Sequence, residues 1–195
     1  MSIYNNYVEN VLRVVLERHS PKVYDPDKNV SREVMHGVLE AARWAPSANN
    51  RQPWFFLVFD DTDLEAREKA RSVLNEGNRI WAGRAPVLVL ACARTRRDNG
   101  KPNSYAAHDL GLANENLLLQ TYASGLISHP MAGFDKKAAR EAFEIPEDYE
   151  PMVMIAIGYP GDDSNLPTEV QEHSRRIRER KPLEEISAWG KWPTL

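Results

Sequence analysis

The chain has a single cysteine, Cys92, among its 195 residues. With no second thiol there is no internal disulfide and no thiolate cluster for zinc. Cys92 sits within Pro-Val-Leu-Val-Leu-Ala-Cys-Ala, where it reads as a small buried hydrophobe and not as a nucleophile. Long apolar runs are also missing: the longest are about eight residues, against the roughly 20 that a membrane-spanning helix needs. The opening Met-Ser-Ile-Tyr-Asn-Asn-Tyr has no basic region followed by an apolar stretch, so no secretion signal is expected and cytoplasm is the expected location. Positive charge is not in excess. With 25 Lys and Arg against 28 Asp and Glu, the net charge of -3 argues against a general nucleic-acid binder. No Gly-x-Gly-x-x-Gly turn, Walker loop, His-Glu-x-x-His pair or nucleophile elbow is present.

What is present supports a core: 42% of the residues are hydrophobic, enough for one domain spanning 1–195. Met35, Val38, Leu39 and Ala42 fall at the spacing of one apolar helix face over residues 33–44, with Ser31 placed as its cap. Residues 54–59 are six bulky side chains that read as a strand buried on both faces. Residues 86–93 and 151–160 are two more continuous apolar strands. Tyr7, Val8, Val11, Leu12, Val15 and Leu16 mark an amphipathic first helix, and the acidic 60–63 stretch starts another that Gly77 breaks, leaving Asn78 just beyond it. The longest helix pattern covers 105–124, with Gly125 as its stop; His108 and Asp109 near its start read as pocket members or as caps. Residues 94–103 are strongly polar, a candidate mobile lid or variable insertion whose basic side chains suit an acidic substrate or the extra phosphate of NADPH. Strands alternating with helices give an α+β or α/β three-layer plan.

Three polar stretches carry chemistry. Pro46 and Pro53 fix the ends of a loop holding Ser47, Asn49, Asn50, Arg51 and Gln52. Several hydrogen-bonding side chains between rigid supports suit a flat polar ligand, although a turn capping its own backbone accounts for the same residues. Arg18, His19 and Ser20 close the first helix. Arg18 is a bidentate phosphate donor and the Ser20 hydroxyl can add a bond, while an Arg at a helix end also complements the dipole. Residues 173–181 carry Arg175, Arg176, Arg178, Arg180 and Lys181 with no aromatic interleaving, so a phosphate site fits better than nucleic acid. Arg178 and Arg180, two apart, point the same way on an extended segment. A short helix is expected over 182–189, and the tail holding Trp189 and Trp192 is aromatic enough to pack on a partner subunit.

The string Ala-Pro-Ser-Ala-Asn-Asn-Arg-Gln-Pro-Trp, leading into an aromatic strand, resembles the signature loop of the FMN-dependent nitroreductase family. Residues 18–20, Asn78 ahead of an Ala-Pro strand, residues 130–135 and residues 178–183 match in the family's order, so the resemblance runs from about Arg18 to Leu183. It implies an α+β, three-layer α/β/α nitroreductase-like fold with a mixed central sheet flanked by helices, and a C-terminal extension packed on the second subunit of a homodimer. FMN would be the cofactor, its phosphate held by Arg18, His19, Ser20, Arg178 and Arg180. Asn78 and the backbone of Pro130, Met131, Ala132 and Gly133 would meet the ring, with Met131 packing on it. Pro46, Ser47, Asn49 and Gln52 would contact a flavin, often the partner's. The family's reaction is ping-pong hydride transfer from NAD(P)H through FMN to an electron-poor small molecule: a nitroaromatic, a quinone or an unsaturated carbonyl. The flavin carries that chemistry, so no catalytic acid or base and no metal is expected, nor any nucleic acid or membrane partner. The alternative is a flavin-binding or flavin-degrading protein of the same fold. Two departures stand out: Trp81 where many relatives carry Lys, and Ala132 where many carry Glu.

Overall fold

Two continuous apolar runs form the middle of the sheet. A computed structural model describes residues 8–162, 164, 166–176 and 178–193. β1 is Trp54–Phe59, β2 Val87–Arg94, β3 Ile127–Met131 and β4 Tyr149–Gly158, in the spatial order β1-β2-β4-β3. β2 and β4 lie at the centre. Leu88, Leu90, Cys92, Met154 and Ala156 point to one face, and Val87, Val89, Ile155 and Ile157 to the other, as the two-residue period of a strand requires.

Each face is covered by helices, which makes three layers. α2 (Arg32–Arg43) and α5 (Ala106–Ala123) bring Met35, Val38, Ala42, Ala113 and Leu117 to one face. α3 (Leu64–Ser72), α4 (Glu76–Ala82) and α6 (Lys136–Ala142) bring Ala70, Trp81 and Ala139 to the other. Ser31, Asp63 and Asp135 cap α2, α3 and α6, each accepting from a backbone N–H three residues on. The remaining helices are α1 (Arg13–Glu17), α7 (Thr168–Arg175) and α8 (Leu183–Ile186).

Several expectations are corrected. The sheet is not mixed: all three pairings among the described residues are antiparallel. The pair α3–α4 makes a round trip, so β2 starts from the end where β1 stops; β2 and β3 run the same way, but β4 lies between them. β1 is not buried on both faces. It is an edge strand, and Phe55 is 52% exposed. Gly77 does not break a helix: the break is at Leu74–Asn75, and Asn75 caps α4, placing Asn78 inside its first turn. Among the described residues the expected first helix is interrupted: Val8 is helical, the chain turns at 9–11, α1 covers only Arg13–Glu17, and Tyr7 lies outside the described residues. Residues 94–103, expected as a mobile lid or variable insertion, form a hairpin. Arg97 N–H donates to the Lys101 carbonyl at 2.8 Å, Asn103 N–H to the Thr95 carbonyl at 2.7 Å, and Gly100 takes the left-handed turn position at φ 76°.

Candidate functional site

One edge of the sheet gathers residues from both ends of the chain. Pro21, directly after the Arg18-His19-Ser20 turn, sets its carbonyl oxygen 3.3 Å from His129 Nδ1 in β3, so this turn runs beside the edge strand. From the C-terminal side, the Arg178 guanidinium donates to the carbonyls of Leu16 and Arg18. Burial, and then the neighbouring cations Arg180 and Arg18, pull Arg178 below its ordinary pKa. Three guanidiniums therefore share one corner. Arg18 Nε is buried without a hydrogen-bond partner, and the Glu115 carboxylate stands 3.6 Å away. Three crowded cations, with Glu115 paired to Arg18, suit a dianion. His19, by contrast, is exposed, and its Nδ1 sits 3.0 Å from the carbonyl of Glu17, a local contact at a helix end.

Further along this edge, β3 runs into Ala132 and Gly133. Asn75 N–H and Asn78 Nδ2 both donate to the Gly133 carbonyl, at 3.1 and 2.9 Å. A Cβ on Gly133 would stand 2.4 Å from Asn75 Nδ2 and 2.5 Å from Asn78 Nδ2, so any larger residue would displace both carboxamides. Asn78 and the 130–133 segment are thus one unit. Ala132 is exposed at its rim, whereas Met131 is 6% exposed and turned into the core among Leu74 and Phe134. Its side chain does not face an open site, because odd-numbered residues of β3 point to the α3–α4 face. Trp81 is likewise buried, stacked on Tyr24 at 6.3 Å and tilted against His129 at 4.5 Å.

The proline-bounded loop lies elsewhere. It enters β1 at the opposite edge, about 14 Å away across three strand spacings, though at the same end of the sheet. Asn49, Asn50 and Gln52 all have positive φ, 52°, 53° and 49°, which is affordable for Asn and strained for Gln. The fold holds them there by two anchors. Ser47 Oγ accepts from Gln52 N–H at 3.0 Å, and the buried Asp109 carboxylate accepts from Ala48 N–H at 3.0 Å. Asp109 therefore fastens the loop to the first turn of α5. Pro46 is exposed ahead of Ser47.

Known proteins decide what such an arrangement belongs to. A family model described as the nitroreductase family matches residues 15–79 and 63–159. The chain belongs to the nitroreductase family. A solved structure described as an oxidoreductase containing FMN superposes with a TM-score of 0.88 at 32% identity, covering 94% of this chain and 93% of that one. An Archaeoglobus fulgidus protein, provisionally named an NADH dehydrogenase/NAD(P)H nitroreductase, is 30% identical over 82% of this chain and 90% of its own. The oxygen-insensitive NAD(P)H nitroreductase of Salmonella typhimurium is 26% identical over 77% of this chain and 88% of its own.

Against this nitroreductase background the sequence reading omitted two residues. Asn75 pairs with Gly133 and caps α4; the Asn-x-x-Asn spacing ahead of Arg79 carried that signal. Glu115 faces Arg18 from the middle of α5, and no local pattern marks it. As an oxidoreductase of this family the chain offers two separated clusters: the β3-edge corner with Arg18, Ser20, Pro130, Gly133, Asn78, Arg178 and Arg180, and the β1-edge loop with Pro46, Ser47, Asn49 and Gln52.

Proposed function

We propose that this chain is an FMN-dependent NAD(P)H oxidoreductase that reduces an electron-poor small molecule, a nitroaromatic, a quinone or an unsaturated carbonyl. The observation that carries the reading is the meeting of Arg178 with the Arg18 turn, across 160 positions of sequence, at the edge that also bears Gly133. FMN, when bound, would supply the hydride-transfer chemistry between NAD(P)H and the acceptor. Arg18, Arg178 and Arg180 would neutralise its phosphate, with the Ser20 hydroxyl adding a bond. The chain's main task is orientation. Asn75 and Asn78 hold the Gly133 carbonyl, which leaves the exposed backbone at Ala132 and Gly133 as the surface offered to the ring.

The 46–52 loop, at the other edge, would serve the flavin of a second copy. That makes the active unit a homodimer with two composite sites. Leu183, Ile186, Trp189 and Trp192 are 46%, 65%, 100% and 87% exposed, apolar surface that a partner subunit would cover.

Fluorescence titration with FMN tests the reading. Wild-type protein is expected to bind FMN at micromolar concentration or tighter, and Arg178→Ala to bind it about 10- to 100-fold more weakly, the worth of one charge-assisted bond. The flavin-loaded protein should then consume NADH or NADPH with menadione or nitrofurazone as acceptor. Colourless protein that refuses micromolar FMN, or no turnover above the rate without enzyme, would sink the proposal.

A further inference from the structure

The hairpin of residues 94–103 and the loop of residues 46–52 enclose a second polar space, on the edge away from the Arg18 corner. Its volume is about 370 Å³, and Asn50, Arg51, Gln52, Arg94, Arg96 and Arg97 are in its wall. The cations there are unequally matched. Arg94 is neutralised by Asp148 at 2.9 Å and Asp98 at 2.7 Å. Arg51, Arg96 and Arg97 have no carboxylate partner among the described residues. Arg51 donates to the Ala48 carbonyl at 2.9 Å, and Arg96 lies 3.4 Å from the Gly100 carbonyl. Arg97 Nε is buried with no hydrogen-bond partner, as is Oδ1 of Asn103, which lines the same space and is 7% exposed. The wall thus carries an excess of cations in a chain of net charge -3. The walls are also set in place. The hairpin is closed by backbone bonds, and the loop is tied down by Ser47 and Asp109.

We propose that this cavity is a subsite for a phosphate monoester dianion. Unmatched guanidiniums take the charge, and the Asn50 and Gln52 carboxamides surround it. That set of cations is the chemistry that holds a ribose 2′-phosphate, as in NADPH, and inorganic phosphate shares the same charge. The NADPH source rests on the function proposed above, whereas anion binding at this place does not.

The experiment uses the FMN-loaded protein, wild type and the double variant Arg96→Gln/Arg97→Gln, titrated calorimetrically with 2′-AMP, adenosine and inorganic phosphate. Wild type is expected to bind 2′-AMP and not adenosine, and the variant to bind 2′-AMP at least tenfold more weakly. In steady-state kinetics the ratio of kcat/KM for NADPH over NADH should fall at least tenfold in the variant. Loss of 2′-AMP binding with that ratio unchanged would keep the subsite and assign it to free phosphate or a phosphorylated acceptor. No 2′-AMP or phosphate binding to wild type, or equal binding to wild type and variant, would overturn the subsite. If the protein takes no flavin, the function proposed above fails on its own, and the comparison of the two proteins still reads the subsite. Should the double variant not fold, Arg96→Glu alone, at an exposed side chain, carries the same comparison.

Discussion

His129 shows how the β3 edge acts on a single side chain. Its ring lies 4.5 Å from Trp81 and 6.0 Å from His173. Burial is the largest influence and pulls its pKa from 6.5 to about 4; the Pro21 carbonyl works in the opposite direction, and nearby Lys22 lowers it further. The ring is therefore neutral in the fold at pH 7. Between about 6.5 and 4 the unfolded chain holds a proton there that the folded chain does not, so stability falls as pH drops through that window. At 1.36 kcal/mol per pH unit, this one site costs roughly 3 kcal/mol by pH 4. Urea unfolding of wild type and His129→Asn between pH 7 and pH 4.5 is expected to show a steeper acid loss in wild type. Parallel curves would refute the assignment. Since His129 precedes Pro130, a proton forced onto it would disturb the strand that leads to Gly133.

At the scale of elements, the 46–52 loop depends on α5. Asp109→Ala would leave the Ala48 N–H without its partner and release the loop from the first helical turn. An expected loss of about 1–3 kcal/mol in urea unfolding follows from one unsatisfied buried donor. A loss below about 0.5 kcal/mol would mean that the anchor is dispensable. Much of this was legible beforehand. β2 and β4 are unbroken apolar runs, and the cap at Ser31 follows from residue type alone. β3 was not legible. It has five residues, includes Ser128, His129 and Pro130, and exists because its edge position needs fewer backbone donors. The 94–103 hairpin was not legible although Asn99-Gly100 is a turn signal, because its charged flanks lack the alternating apolar pattern that marks paired strands. The Arg18–Arg178 meeting came from family resemblance. No spacing rule connects residues so far apart.

For the whole molecule, the proposed dimer predicts that neither of the two clusters on opposite edges is sufficient by itself. Trp189 and Trp192 extend this dependence, because both stand in solvent in one chain. The Trp189→Ala/Trp192→Ala variant is expected to raise the dimer dissociation constant about a hundredfold or more, since buried interface tryptophans commonly contribute 2 kcal/mol or more each. Light scattering and flavin absorbance, read together on dilution, should show monomers appearing as FMN is released. A wild-type monomer with its full flavin complement would exclude the composite site.

Cys92 is 1% exposed in the central strand, and burial pushes its thiol up to about 11. Maleimide dyes and spin labels therefore have no native target. A cysteine installed at exposed Lys137, on α6 and away from the 183–192 segment, would be the one reactive handle per chain. Label-to-label distances across two copies could then be measured without first removing a background thiol.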